Sequence, residues 1–254
     1  MGYETILYEK RKAAAIITLN RPEVLNAMNR QLWIDFQSVL DKAIQDVEVK
    51  VLIITGAGRA FSTGADLKES KTRSQAAYRA YLAGLQEASR KIIRLEKPTI
   101  AAINGYALGS GYELALACDI RIAAEDARIG SPEAKVTSSV TGGALRLLQD
   151  LVGPAKAREL LFTATYIDGV EAARIGLVNK AVPMDRLMDE ALAMADAISA
   201  NSAFSIAMIK KGLLMASGEA SLEALMDFEV EACLACVSTK EREESLKVFE
   251  ARKK

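Results

Sequence analysis

The chain has 254 residues, half of them hydrophobic, with 33 basic residues, 33 acidic residues and no histidine. That length and apolar share support one large core. The even charge balance argues against a nucleic-acid surface, which needs a basic excess. The absence of histidine removes every Ser-His-Asp or Cys-His mechanism and every imidazole metal site, so any acid–base chemistry falls to carboxylates.

The N-terminus, Met1-Gly2-Tyr3-Glu4-Thr5, has no basic-then-apolar leader, and no run reaches the ~18 apolar residues of a membrane span. The expectation is a cytoplasmic protein that neither enters a membrane nor binds nucleic acid. Residues 3–9 alternate polar and apolar side chains as a strand does, and 14–19 form an apolar run ending at the turn Asn20-Arg21-Pro22. Residues 30–46 place Leu32, Phe36, Val39, Leu40, Ala43 and Ile44 at helical spacing. A β-branched strand over 51–55 stops near Gly56 and Gly58. Residues 75–94 read as a helix, and Pro98 opens a strand over 99–104. A glycine-rich loop over 105–111 feeds a short helix to about Cys118, and 120–123 form a further strand. This alternation implies a mostly parallel, buried sheet with right-handed crossovers.

The second half differs. Pro154 follows Gly153 as a first helical residue would. Asp168-Gly169-Val170-Glu171 has capping-box spacing, and Gly176 is a helix stop. After 177–182 the chain reads as helical to its end, over 185–199, 202–216 and 221–250. The last helix carries Leu222, Leu225, Met226, Phe228 and Val230, too many for one stripe, so it is expected to pack on more than one partner. Cys233 and Cys236 form C-x-x-C inside this apolar pattern, without a second pair or a histidine. They read as buried thiols rather than a metal or redox site.

Two glycine-bearing loops each follow an apolar strand: Ala60-Phe61-Ser62-Thr63-Gly64-Ala65-Asp66-Leu67 and Asn104-Gly105-Tyr106-Ala107-Leu108-Gly109-Ser110-Gly111. Strand ends in parallel sheets are where ligands bind, and glycines let backbone N–H groups approach them. Two such donors facing one point make an oxyanion hole, in which a carbonyl can take up charge. A dinucleotide fingerprint fails because Leu114 stands where its third glycine should be, and no Walker lysine follows either loop. Glu113, just after the second loop, and Glu133, in Gly130-Ser131-Pro132-Glu133, are the candidate proton carriers. Ser62 and Ser110 have no histidine base, which sets aside a serine-hydrolase reading.

Together these segments resemble a known family. Asn20-Arg21-Pro22-Glu23-Val24-Leu25-Asn26-Ala27-Met28 is similar to its N-R-P-x-x-x-N-A-(M/L) signature. Ala60 to Leu67 resembles its A-F-S-x-G-A-D-L segment. Residues 101–115 resemble its A-x-x-N-G-x-A-x-G-G-G-x-E-L-A run, and Gly142-Gly143 to Arg146-Leu147 and Gly176-Leu177-Val178-Asn179 match later landmarks. The chain is identified on these motifs as a member of the crotonase, or enoyl-CoA hydratase/isomerase, family. The resemblance implies an α/β crotonase fold, with a stacked β-β-α spiral core that binds acyl-CoA and catalyses over residues 1–195. A C-terminal helical segment over 196–254 would join subunits into a homotrimer or dimer of trimers.

The resemblance also implies an acyl-CoA thioester substrate, with coenzyme A part of that substrate, no separate cofactor and no metal. By position, the oxyanion-hole amides belong to Ala65 and Ser110, and Glu113 and Glu133 hold the reacting water. Ala27, Gly64, Asp66, Leu67 and Gly109 match segments that line the CoA or substrate groove. Phe249 and Arg252 match a terminal motif that reaches CoA from a neighbouring subunit. Having both glutamates favours reversible hydration of a 2-enoyl-CoA. Isomerisation, dehydration of a carnitinyl-like thioester and hydration of a cyclic dienoyl-CoA stay open at the same site, as does a non-catalytic CoA- or RNA-binding protein on this fold. One stretch departs from the family: Ala134 to Thr141 is one position short and lacks a proline. Its three consecutive hydroxyls, Thr137, Ser138 and Ser139, either face a polar acyl group or form a solvated turn.

Overall fold

The structure, a computed structural model, describes residues 2–71, 74–218, 221–237 and 239. The chain opens with a hairpin, β1 (Ile6–Arg11) against β2 (Ala14–Leu19), paired antiparallel from Ile6↔Leu19 to Arg11↔Ala14. The first strand starts later than the alternation over 3–9 suggests. Glu4 and Thr5 instead give their amides to the Asp35 carboxylate, at 3.0 and 2.9 Å. The tight turn, with Lys12 at φ 52°, carries pairing on to Arg11.

Helix α1 (Arg30–Gln45) is capped by the Asn29 side chain on the Leu32 amide at 2.9 Å and buries Leu32, Phe36, Val39 and Leu40. Then β3 (Val51–Gly56) and β4 (Ala60–Ser62) are followed by α2 (Leu67–Ser70) and α3 (Gln75–Arg94). The pair β5 (Thr99–Ile103) and β6 (Tyr106–Leu108) leads to α4 (Ser110–Ala117). The pair β7 (Ile120–Ala124) and β8 (Arg128–Gly130) leads to α5 (Ala144–Thr163). Non-helical angles at Gly153 (φ 76°, ψ 159°) interrupt α5, and Pro154 restarts it, as its position after a glycine predicts. The chain continues through α6 (Gly169–Arg174), β9 (Lys180–Val182), α7 (Leu187–Ser199), α8 (Ala203–Ala216) and α9 (Leu222–Val237). The Asp168 side chain caps α6 on the Glu171 amide at 2.8 Å.

From β3 onward, successive strands alternate between two sheets. The larger has the order β1-β2-β3-β5-β7-β9, parallel from β2 onward, and the smaller has the order β4-β6-β8, all parallel. Each strand pair therefore contributes one rung to each sheet before a helix closes the turn, which is the stacked β-β-α spiral. The smaller sheet is absent from the sequence reading because its strands are three residues long, too short for a period to show.

The inner strands of the larger sheet are buried on both faces. Ile17, Leu52, Ile54, Ala101 and Ile103 pack in the core that holds Leu32, Phe36, Leu85 and Ile92. Their neighbours Ile16, Val51, Ile53, Ile100 and Ile122 pack against Leu187, Ala191 and Ala195 of α7. That explains continuous apolar strands in place of alternating ones. Two buried asparagines join strand ends to the connections. Asn104 donates to the Gly56 and Gly58 carbonyls at 2.8 Å each, and Asn26 donates to Ala57 and Ala60 at 2.9 and 2.7 Å. They satisfy carbonyls that the sharp turns would otherwise strand.

The C-terminal helices are bound differently. Lys210 of α8 pairs with Asp119 at the foot of β7 at 2.7 Å, while α9 packs chiefly on α8. Cys118 is buried, but Cys233 is exposed in this chain, which corrects its reading as a buried thiol. Among the described residues, its helix packs chiefly on α8. No single helix among the described residues is long and apolar enough to cross a membrane.

Candidate active site

The first glycine loop leaves β4 and is held from both sides. The Ser62 hydroxyl donates to the Asn26 carbonyl at 2.8 Å and accepts from the Gly64 amide at 3.1 Å. The Met28 amide donates to the Gly64 carbonyl at 2.7 Å, and the Asp66 amide returns a bond to Met28 at 3.1 Å. Asp66 caps α2 and meets Arg21 at 3.0 Å, while Arg21 also grips the Ala27 carbonyl at 2.5 Å. Burial pushes the Asp66 carboxyl up, but Arg21 and the helix amides pull harder and hold it below its ordinary value. Ala27, Gly64, Ala65 and Asp66 thus form one braced rim, with the exposed Leu67 at its edge.

The second loop leaves β6 at Gly109 (φ 51°, ψ −126°), a conformation closed to ordinary side chains, and enters α4 at Ser110. The two loops touch. A Cβ on Gly64 (φ 90°) would lie 2.8 Å from the Leu108 carbonyl and 3.0 Å from the Ser110 amide nitrogen. The Gly64 backbone therefore lies against the Ser110 amide. Among the described residues neither the Ala65 nor the Ser110 N–H donates to a protein acceptor. The Ser110 amide also opens a helix, where the dipole favours negative charge.

Both carboxylates lie near the second loop, Glu113 on the helix it opens and Glu133 against Gly109. Glu113 lies one turn into α4 and is 2% exposed. Its Oε1 accepts the Thr141 amide at 2.5 Å, and its Oε2 accepts the Thr141 hydroxyl at 2.7 Å. Burial lifts its pKa, the two bonds from Thr141 pull it down, and the charge of Glu133 lifts it again; the net direction is up. Glu133 follows Pro132 and opens a short 3₁₀ turn, Glu133–Val136. Its Oε2 receives a hydrogen bond from the Ser131 hydroxyl, and its Oε1 lies 2.9 Å from where a Gly109 Cβ would be. A side chain at 109 would collide with that carboxylate. Burial, and then the charge of Glu133, also raise the Tyr166 phenol, so Tyr166 stands within reach of the site.

The structure sets Gly64 against Ser110 and Glu133 against Gly109, and it places Glu113 one turn into α4 within reach of the Glu133 charge; Ala27 and Asp66 brace the first loop. Phe249 and Arg252 lie outside the described residues. Thr137, Ser138 and Ser139 are exposed on this chain. The hydroxyls that touch the carboxylates are Thr141 and Ser131, which the sequence reading passed over. The available signal was slight: a threonine before a glycine pair, and a serine two residues before a glutamate. Among the described residues no cluster of three or more metal-ligating side chains occurs. Two free amides beside two carboxylates can polarise a carbonyl and move a proton on either side of the carbons next to it.

Comparison with known proteins agrees with that chemistry. The enoyl-CoA hydratase/isomerase family profile matches residues 9–254. The chain is similar to a crotonyl-CoA hydratase of Syntrophomonas wolfei, 36% identical over 100% of this chain and 98% of the relative. It is also similar to a short-chain-enoyl-CoA hydratase of Clostridium acetobutylicum, 36% identical over 100% and 97%. Among solved structures, an enoyl-CoA hydratase of Bacillus anthracis superposes with a TM-score of 0.95 at 32% identity, covering 98% of this chain and 97% of that one. By full-length profile, sequence and fold, the chain belongs to the enoyl-CoA hydratase/isomerase family and has the crotonase fold.

Proposed function

We propose that this enzyme adds water reversibly across the double bond of a 2-enoyl-CoA thioester. The observation that supports the reading is that the Gly64 backbone lies against the Ser110 amide and Glu133 against Gly109, while the Glu133 charge acts on Glu113 of the same helix as Ser110. In this reading the thioester oxygen accepts both amides, so charge moving out of the double bond collects there as an enolate. Two donors that strengthen as charge develops are worth about 10²–10³ in rate each. One glutamate takes a proton from water as the water oxygen bonds to C3, and the other glutamate gives a proton to C2. Both act from one face, so the addition is syn. The pair holds one proton before and after turnover, as close carboxylates do when both cannot ionise. Coenzyme A enters as part of the substrate, and no step needs a further cofactor.

Residues 1–195 would hold the substrate and the chemistry, and residues 196–254 would join subunits in a trimer or a dimer of trimers. Support for that assembly comes from the apolar groove of about 460 Å³ between α8 and α9, lined by Met208, Ile209, Leu213, Phe228 and Ala232.

The test follows crotonyl-CoA by loss of its conjugated-thioester absorbance and by gain of one water in mass. Glu113→Gln and Glu133→Gln are each expected to lower kcat by more than about 100-fold, the low end for a positioned acid or base. Normal turnover in both variants would overturn the reading. So would a panel of enoyl-CoA substrates on which the wild type adds no water.

A further inference from the structure

Thr141 contacts Glu113 through two atoms of one residue. Its amide serves Oε1 at 2.5 Å and its hydroxyl serves Oε2 at 2.7 Å, from a point 28 positions along the chain. The placement is built into the turn before α5. The Thr141 carbonyl accepts the Ala144 amide at 2.9 Å, and α5 starts from Gly143 with no side-chain cap. A hydroxyl beside a helix N-terminus ordinarily caps it; this one faces Glu113 instead. Gly142 makes the approach possible, since a Cβ there would lie 2.9 Å from the Ser89 hydroxyl and 3.4 Å from Cβ of Glu113. The charged group acting on Glu113 is Glu133. Ser89 and Leu85 of α3, which face the same turn, are uncharged.

We propose that Thr141 is a positioning residue of the hydration reaction, clamping Glu113 in both of its protonation states. The amide fixes one carboxyl oxygen throughout. The hydroxyl donates to the other oxygen when Glu113 is ionised and rotates to accept when Glu113 carries the proton. A lysine or arginine in its place could only donate and would favour the anion. A hydroxyl serves a carboxyl that must both take and give a proton as the reaction runs forward and back. Ser131 makes the matching hydroxyl contact to Glu133. No atom leaves Thr141: the proton taken from water and the proton given to C2 pass through the two carboxyls alone. Because its bonds hold the Glu113 pKa down against burial, their loss sends that pKa up.

The inference rests on the hydratase reading, and its test separates the two. Thr141→Val removes the hydroxyl but keeps the amide and the branched shape, and Thr141→Ser restores the hydroxyl. With crotonyl-CoA, Thr141→Val is expected to lower kcat about tenfold with KM nearly unchanged and to move the Glu113-dependent limb of the pH profile up by about one unit, the range for a lost hydrogen bond to a charged group. Thr141→Ser is expected to restore both rate and profile. A Thr141→Val profile that superposes on wild type, while Glu113→Gln is inactive, would overturn the clamp and leave the hydratase reading intact. A second measurement needs no turnover: the Glu113 carboxyl band, isolated by infrared difference against Glu113→Gln, is titrated in substrate-free wild type and in Thr141→Val. An upward midpoint supports the clamp, and an unmoved midpoint rejects it. Should Thr141→Val not fold, Thr141→Ala takes its place with the same expectations.

Discussion

Strands β3 and β5 are buried along their whole length, whereas no described side chain of α9 is fully buried in this chain. Both segments are apolar, so composition does not separate them. The strands send successive side chains to opposite faces, and each face finds a helix layer within the same chain. Helix α9 has α8 as its chief neighbour, and Met226, Val230 and Leu234 of α9, like Ile209 and Leu213 of α8, are more than half exposed. An apolar face of that extent is uncommon on a protein that works alone. The core strands are therefore covered on both faces within one chain, whereas among the described residues α8 and α9 leave an apolar face uncovered. The catalytic groups proposed for this enzyme all lie in the part of the chain before these two helices.

The contrast can be broken most directly in the core. Phe36 is fully buried, and Phe36→Ala is expected to cost about 3–5 kcal/mol in urea unfolding, the range for an aromatic deleted from a packed core. The same truncation at Leu213, 67% exposed, should cost a protomer less than about 0.5 kcal/mol. Equal costs at the two sites would end the distinction. A smaller effect is expected at Arg121. Its buried guanidinium donates to the Cys118 and Leu177 carbonyls at 2.6 and 2.9 Å and closes the C-terminal end of α4. Arg121→Met leaves those carbonyls unpaired, at about 1–3 kcal/mol, and should lower kcat as well, because α4 carries Glu113. A variant that loses neither stability nor rate would show that α4 does not need this brace.

Next comes assembly. Leu213→Asp with Val230→Asp should reduce the particle mass in light scattering while far-ultraviolet circular dichroism stays that of wild type. An unchanged mass would mean that the exposed face is not a subunit contact. The smallest effect is a pH-dependent shift in melting. The Glu113 pKa is raised in the folded protein, first by burial. Its contribution to stability is therefore present below the unfolded carboxylate value and is lost as pH rises through the folded value. Glu113→Gln should raise the thermal midpoint at neutral pH, with the gain shrinking as the solution is acidified towards the ordinary carboxylate range. A gain that grows on acidification would reverse the assigned direction of the shift.

Much of the frame was legible residue by residue. The apolar run over 14–19 is β2, and the helical spacings over 30–46 and 75–94 are α1 and α3 to within a residue. These succeed because each element is long enough to repeat its period and is bounded by a cap or a turn residue. The second sheet was not legible, because Tyr106–Leu108 looks like part of a glycine loop until β4 and β8 pair with it. Thr141 was not legible either. Its partner is a carboxylate across a turn, and no local pattern distinguishes it from Thr137, which faces outward.

By itself the sequence determined which groups can carry protons. With no histidine, the choice narrowed to carboxylates, and the glycines at 64 and 109 marked where backbone could approach a ligand. Only the tertiary structure decided that the charge of Glu133 acts on Glu113, that Thr141 holds Glu113 and Ser131 holds Glu133, and that the Glu113 pKa lies above its ordinary value. The reason is physical. Residue identity and spacing are properties of the chain, whereas burial and the charge of a neighbour act through space and exist only once distant segments have packed together.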